Sequence, residues 1–189
     1  MKSIKKAVEN FIRGGEGDFN AIACELFRRQ CHLNPVYGNY AGTVRDAIKD
    51  VARWEEIPAL PIAAYKMAAV TTFPVAEAAV VFRSSGTTST DRGSHYFKDT
   101  GLYELSILQG WPSHPSGQVR ILAFSQEPSS VPDSSLIHMF RTLIVHFGDS
   151  QSRFIQEHGQ LVESLGHAEK EGCPVWLLGT ALAFHGFLD

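Results

Sequence analysis

The sequence predicts an α/β fold in which a largely parallel sheet is flanked by helices and preceded by a helical N-terminal segment. Residues 1–53 carry apolar side chains at helical spacing. Short apolar runs at 76–82, 118–125 and 174–179 have the length and composition of buried strands. Helix-like segments separate these runs, and strands that alternate with helices of this length are typical of a parallel sheet.

The N-terminal segment, residues 1–53, is predicted to consist of helices. Asp18 can cap a helix because its carboxylate can accept a hydrogen bond from the first turn. The LNPVYGNY segment is expected to break this helix, and residues 43–53 are expected to resume it. The apolar residues of the capped helix recur at helical spacing; they are Phe19, Ile22, Leu26 and Phe27.

The second segment, residues 54–189, is predicted to be the α/β part. It begins with WEEIPALPIAAYK, where two prolines three residues apart indicate an extended connector. The strand at 76–82 then runs directly into a Ser/Gly/Thr-rich stretch. Asp99 is predicted to cap the next helix, which Gly110 closes.

Strands and helices continue to alternate after this point. The run 118–125 is a predicted core strand, and Asp133 is expected to cap a strongly periodic helix that ends at Gly148. A helix at about 158–171 leads into the last strand, 174–179.

Composition excludes several classes of function. The formal charge of −3 and the lack of a Lys/Arg run argue against a nucleic-acid-binding protein. No stretch approaches the roughly 18 apolar residues of a membrane span, and no signal-peptide core follows the basic N-terminus. The three cysteines show no CxxC spacing, so neither a disulfide framework nor a zinc site is indicated. These features predict a cytoplasmic protein.

The Ser/Gly/Thr-rich stretch is the strongest candidate for a binding site. It offers consecutive backbone N–H groups and hydroxyls, and Gly86 permits the backbone angles that turn N–H groups toward an anion. Arg92 or Lys98 could supply positive charge, and His95 could donate to a phosphate. The predicted phosphate-binding residues are Ser84, Ser85, Gly86, Thr87, Thr88, Ser89, Arg92, Ser94 and His95.

Other readings of these residues stay open. A Ser/Gly/Thr cluster is also the usual composition of a solvent-exposed loop, and His95 fits a surface turn equally well. The stretch lacks the Lys-Ser/Thr of the common nucleotide P-loop, and GxGxxG and GxSxG are absent. The histidines lack metal-ligand spacing, and the cysteines are interpreted as small buried apolar residues, so no metal site and no catalytic residue is predicted.

SSGTTS after an apolar strand resembles the phosphate-binding signature of adenylate-forming enzymes, the acyl-CoA synthetase and firefly luciferase superfamily. FRSSGTTSTDRGSHYFKDTGLYELS is similar to the acyl-protein synthetase (LuxE) family within it. WEEIPALPIAAYK and LLGTALAFHGFLD resemble two further segments of that family. Ser89 and the Gly93-Ser94-His95 sequence depart from the common form, in which Gly-x-Pro-Lys follows SGTT.

The resemblance implies ATP-dependent activation of a fatty or other carboxylic acid. ATP, with Mg²⁺ on its phosphates, would form an acyl-adenylate, and the acyl group would pass to a protein cysteine and then to a reductase partner. The resemblance also implies a pocket on the acyl or adenylate side, formed by Gly179, Thr180, Phe184 and His185.

Related enzymes are longer, and their remaining catalytic motifs and the acceptor cysteine lie beyond the matched part. The resemblance therefore implies an N-terminal part of the adenylation domain that is inactive alone. Apolar surface left uncovered after Asp189 leads us to expect self-association or a protecting partner. Two alternatives stay open: a non-catalytic module that binds an acyl group, a nucleotide or a reductase, and a CoA ligase similar to phenylacetate-activating enzymes.

Overall fold

A computed structural model describes residues 2–44, 50–85, 92–111 and 119–188. The chain divides into two compact units, Met1–Ser106 and Ile107–Asp189. This division differs from the sequence segments 1–53 and 54–189, which stay a prediction. Among the described residues, no helix is both long and apolar enough to cross a membrane.

The first unit begins with three helices, α1 (Lys2–Ile12), α2 (Phe19–Leu33) and α3 (Pro35–Val44). The predicted cap of α2 is confirmed, because the Ala21 N–H donates to Asp18 Oδ1 at 3.2 Å. Helices α2 and α3 meet in an apolar core to which Val51, the second residue after the undescribed gap at 45–49, also contributes. The buried members of this core are Cys24, Phe27, Tyr37, Ala41 and Val51.

Helix α3 corrects the prediction for LNPVYGNY. The chain breaks at Asn34, whose side-chain Oδ1 accepts from the Tyr37 N–H at 3.2 Å and so starts a new helix. Pro35 occupies the first helical position, where its missing N–H costs nothing. Gly38 lies so close to α2 that a Cβ atom would approach the Cys31 carbonyl oxygen to 2.3 Å. The predicted helix at 43–53 is wrong over 51–53, while 45–49 lie outside the described residues.

The predicted extended connector is only partly extended. A 3-10 turn forms at Trp54–Glu56, and a single-turn helix, α4, spans Ala64–Met67. The predicted strand at 76–82 starts later, because Val75–Glu77 forms another 3-10 turn before β1 (Val80–Arg83). Strand β1 pairs antiparallel with β2 (Ser94–Phe97), which the sequence did not predict.

Helix α5 (Gly101–Gly110) follows β2, and the boundary between the two units falls within it. The predicted cap at Asp99 is wrong by one residue, because the carbonyl of Thr100 accepts the first helical hydrogen bond, from the Glu104 N–H at 2.8 Å, while Asp99 Oδ1 accepts from the Gly101 N–H at 3.0 Å one position earlier. The predicted end at Gly110 is confirmed.

The second unit holds a parallel sheet of three strands in the order β4-β3-β5. The central strand β3 (Arg120–Phe124) is buried along its whole length, as expected for a strand covered on both faces. Strand β4 (Arg153–Ile155) was not predicted, whereas β5 (Val175–Gly179) was. The prediction of a parallel sheet flanked by helices is therefore confirmed for this unit, and the β1–β2 hairpin is a separate antiparallel element.

Helices α6 (Ser135–Phe147), α7 (His158–Glu171) and α8 (Ala181–Leu188) accompany the sheet. The predicted cap of α6 is wrong by one residue, because the Ile137 N–H bonds to Ser134 Oγ at 3.3 Å and Asp133 lies one position too early. Gly148 ends α6 as predicted, and α7 has the predicted bounds.

Candidate functional site

The neck of the β1–β2 hairpin is closed by hydrogen bonds between its first and last loop residues. The Ser84 N–H donates to the Gly93 carbonyl at 2.9 Å, and the Gly93 N–H donates to Ser84 Oγ at 2.8 Å. Ser84 thus uses both its backbone and its hydroxyl to hold the ends of the loop together. The predicted phosphate-binding residues Gly86, Thr87, Thr88 and Ser89 lie outside the described residues, so their positions stay predictions.

Arg92 lies against the same neck. Its Nε donates to the Ser84 carbonyl at 2.7 Å, and an Nη donates to the Arg83 carbonyl at 3.3 Å. The guanidinium therefore binds the carbonyls of Arg83, the last residue of β1, and of Ser84, the residue after it. These two hydrogen bonds hold its positive charge at the base of the loop. Because a guanidinium carries five N–H donors in a fixed plane, this arrangement also fixes its orientation.

The residues after the neck pack onto α4. The His95 ring stacks on the Tyr65 ring with centroids 4.4 Å apart and an interplanar angle of 26°. Gly93 faces the same side chain, since a Cβ atom at Gly93 would lie 3.4 Å from Tyr65 Cβ. Ser94 pairs with Arg83 across the hairpin. Tyr65 therefore packs against the C-terminal end of the loop, where the chain enters β2.

Lys98, the other residue predicted to supply charge, lies in a different environment. Its ammonium group forms an ion pair with Glu77 and lies 5.1 Å from the centre of the Phe73 ring. Both partners of the ion pair are about half exposed, so the pair adds little stability. Arg92, rather than Lys98, is the cation that the structure places at the neck of the hairpin.

The second group of predicted residues forms the turn from β5 into α8. Thr180 Oγ1 accepts from the Ala183 N–H at 3.1 Å and so caps α8. A Cβ atom at Gly179 would approach Phe184 Cζ to 2.7 Å, so the phenyl ring closes directly over the glycine. The Phe184 ring also stacks on Phe124 with centroids 6.4 Å apart, while His185 is exposed.

A cavity of about 360 Å³ lies beside this turn, at the carboxyl ends of all three parallel strands. Strand order reverses around β3, and such reversal points are where open α/β sheets bind ligands. Ser125 and Gln126 could have been found from sequence, because Ser125 ends a predicted strand and Gln126 follows it; Gln156 and His158 could not be placed after a strand, because β4 was missed. The lining comprises Phe124, Ser125, Gln126, Gln156, His158, Leu182 and Ala183.

None of the three cysteines lines the cavity at the carboxyl ends of the strands or takes part in the hydrogen bonds of the hairpin neck. Cys24 is buried, as expected, whereas Cys31 and Cys173 are half-buried; all three thiols are free. Burial raises the pKa of the Cys31 thiol, which lowers its thiolate fraction at neutral pH. In the part of the chain that the structure describes, no group of three or more His, Cys, Asp or Glu residues could hold a metal ion.

Comparison with known proteins adds no relative: the chain matches no protein-family model, no curated protein and no solved structure.

Proposed function

We propose that this protein activates a carboxylic acid with ATP, in the manner of acyl-protein synthetases. The observation that carries the proposal is the hairpin neck, where hydrogen bonds of Ser84, Gly93 and Arg92 hold together the two ends of the segment SSGTTSTDRG, whose residue types supply backbone N–H and hydroxyl donors. N–H groups, hydroxyls and a guanidinium are the donors that phosphate groups prefer, so the residue types fit a nucleotide.

The reaction needs alignment and charge neutralisation more than proton transfer. A carboxylate oxygen attacks the α-phosphorus of ATP, forming a new P–O bond while the bond to the bridging oxygen breaks and pyrophosphate leaves. The loop would hold the β- and γ-phosphates, and the Arg92 charge at its base would favour their binding. Mg²⁺, when bound with the nucleotide, would neutralise the phosphates.

The cavity of the second unit supports the same proposal independently. It opens at the carboxyl ends of parallel strands, where a nucleotide or an acyl group binds in many open α/β sheets. The Gly179–Phe184 contact and the Thr180 cap fix the turn that forms one side of this edge. None of the four residues of the predicted pocket, Gly179, Thr180, Phe184 and His185, is part of the cavity lining.

Acid-dependent exchange of labelled pyrophosphate into ATP tests the function directly. For a longer form that carries the remaining catalytic motifs, we expect exchange in the presence of ATP, Mg²⁺ and a fatty acid, and none without the acid. Nucleotide binding without exchange, over a series of acid chain lengths, would instead indicate a non-catalytic binding module. Transfer to free coenzyme A would indicate a CoA ligase.

Removal of two loop hydroxyls tests the site. Thr87→Val and Thr88→Val are each expected to weaken ATP binding about tenfold, because a hydrogen bond to a charged group contributes about 1.5 kcal/mol or more. Thr43→Val, an exposed threonine of α3, is the matched control and should leave affinity unchanged. Unchanged affinity in both loop variants would remove these hydroxyls from the site.

A further inference from the structure

The first unit contains a cavity of about 470 Å³ that neither the motifs nor the resemblance assigns to a ligand. It lies among α2, the chain that follows the 3-10 turn at Trp54–Glu56, the segment after α4 and strand β2. Its apolar wall is built from both aliphatic and aromatic side chains. The principal apolar contributors are Leu26, Phe27, Leu60, Val70 and Phe73.

The lining is uncharged and its polar groups are largely bonded to one another. No Asp, Glu, Lys or Arg is among the described residues that line it. The Tyr37 hydroxyl donates to the Pro58 carbonyl at 2.8 Å, and Asn34 Oδ1 accepts from the Tyr37 N–H at 3.2 Å. Burial, with smaller contributions from Cys31 and Tyr40, raises the pKa of Tyr37 to about 12, so its hydroxyl stays uncharged. An apolar, uncharged group suits this surface.

The cavity shares residues with the support of the phosphate-binding hairpin. Tyr65 lines the cavity, and its ring stacks on His95 at the end of the predicted phosphate-binding loop. Tyr96, the next residue of β2, lines the cavity as well. One side chain and one strand therefore contact both the loop and the cavity.

We propose that this cavity binds the apolar hydrocarbon group of the carboxylic acid. The identification of that group as part of a substrate rests on the proposed function, whereas the binding of an apolar molecule does not. The volume is about three times that of a cavity that holds benzene, and it falls within the range of small-molecule sites, so an aryl group or a medium-length acyl chain fits.

Filling the cavity tests the inference. Ala23 lines it from α2, and Ala23→Phe would place a phenyl ring in the space that the ligand occupies. Ala21 lies on the same helix, is exposed and is not part of the lining, so Ala21→Phe is the matched control. Octanamide and phenylacetamide serve as uncharged probes without ATP, and binding is measured by titration calorimetry on the full chain. Far-UV circular dichroism and thermal melting confirm that each variant is folded.

We expect at least one amide to bind the unmodified chain and the Ala21→Phe variant, and to bind Ala23→Phe at least about tenfold more weakly, because the phenyl ring removes apolar area that the ligand would bury. Failure of both amides to bind, or equal binding by the two folded variants, overturns the inference. If Ala23→Phe unfolds, Thr72→Trp, which fills the cavity from another wall, replaces it with the same criterion.

Pyrophosphate exchange separates this inference from the proposed function. Exchange that depends on octanoate and has an unchanged KM for octanoate in folded Ala23→Phe supports the function and overturns the acyl assignment. Amide binding that is lost in Ala23→Phe, without any exchange, supports the cavity as a binding site and refutes the function.

Discussion

Replacement of Asp149 by alanine should destabilise the second unit by leaving a buried arginine without its main partner. Arg120 starts the central strand, and its side chain is only 7% exposed. Its Nε and an Nη both donate to Asp149 Oδ2, at 3.0 and 2.9 Å, and the same Nη donates to Glu171 at 2.8 Å. Asp149 also accepts from the Ser152 hydroxyl at 2.9 Å and so ties the loop after α6 to the sheet.

The expected loss for Asp149→Ala is about 2 to 3 kcal/mol. Removal of one partner of a fully buried ion pair costs about 3 to 5 kcal/mol, and here Asp149 is 18% exposed and Glu171 remains in place. Glu171→Ala removes the other carboxylate, but that side chain is 58% exposed, so its loss should cost below about 1 kcal/mol. Each variant therefore removes one carboxylate partner of Arg120, a largely buried one in Asp149→Ala and a largely exposed one in Glu171→Ala.

Urea unfolding followed by tryptophan fluorescence measures both variants. In a Trp54→Phe background the remaining tryptophans, Trp111 and Trp176, belong to the second unit and report on it alone. Equal losses in the free energy of unfolding for Asp149→Ala and Glu171→Ala would refute the argument that the loss depends on how deeply the carboxylate is buried. A loss below about 1 kcal/mol for Asp149→Ala would show that Arg120 is hydrated after the change.

The contribution of Asp149 to the free energy of unfolding should decrease as the pH is lowered. Burial alone would raise the pKa of Asp149, but hydrogen bonds from Arg120, Ser152 and the Gln151 N–H outweigh it and hold that pKa below its ordinary range. The unfolded chain therefore binds this proton more readily, so the contribution is complete above about pH 4 and is lost as pH falls through the folded pKa. Asp149→Ala should show a smaller loss of stability on acidification.

Two further predictions follow from close contacts. Arg92→Gln and Arg92→Lys should each weaken ATP binding about tenfold, because glutamine lacks the positive charge and lysine lacks the planar fork that bonds two carbonyls. Arg83→Gln removes a nearby charge but keeps its backbone carbonyl, so it should leave ATP affinity unchanged; retained affinity in the Arg92→Lys variant would contradict a positioning role. Gly179→Ala should destabilise the second unit by about 1 to 3 kcal/mol, because its Cβ would meet Phe184 and the Phe124 carbonyl. Gly166→Ala, with open space around its Cβ in α7, should instead stabilise it by up to about 1 kcal/mol in the same urea assay.

Local signals explain which elements the sequence could predict. The Asp18 cap, the apolar run of β3 and the periodic pattern of α6 each depend on residues that are close in sequence, so they could be predicted directly. Strand β4 has three residues and one fully buried side chain, and it exists because it pairs with β3. Its position depends on the sheet rather than on its own composition.

The prediction failed at α3 because residues that usually end helices have other roles there. Asn34 caps the helix, Pro35 occupies its first position, and Gly38 permits close approach to Cys31. The candidate sites, too, depend on contacts between segments that the local sequence does not predict. Sequence could place Ser84 and Arg92 near a loop, but the bonds between Arg92 and the carbonyls of β1 depend on a hairpin whose second strand was not predicted.

The hairpin neck is the most informative place to separate the candidate functions. Adenylate formation requires an aligned phosphate chain rather than a proton-transferring side chain, so under the proposed function Ser84 and Arg92 would contribute by holding the ends of the loop. A simple binding module would use the same loop for affinity alone. In an activating enzyme, disruption of the neck by Arg92→Gln should therefore lower the maximal exchange rate as well as ATP affinity, because the alignment needed in the transition state is lost. A variant that exchanges pyrophosphate at the unmodified maximal rate once saturated with ATP would assign the neck to binding only.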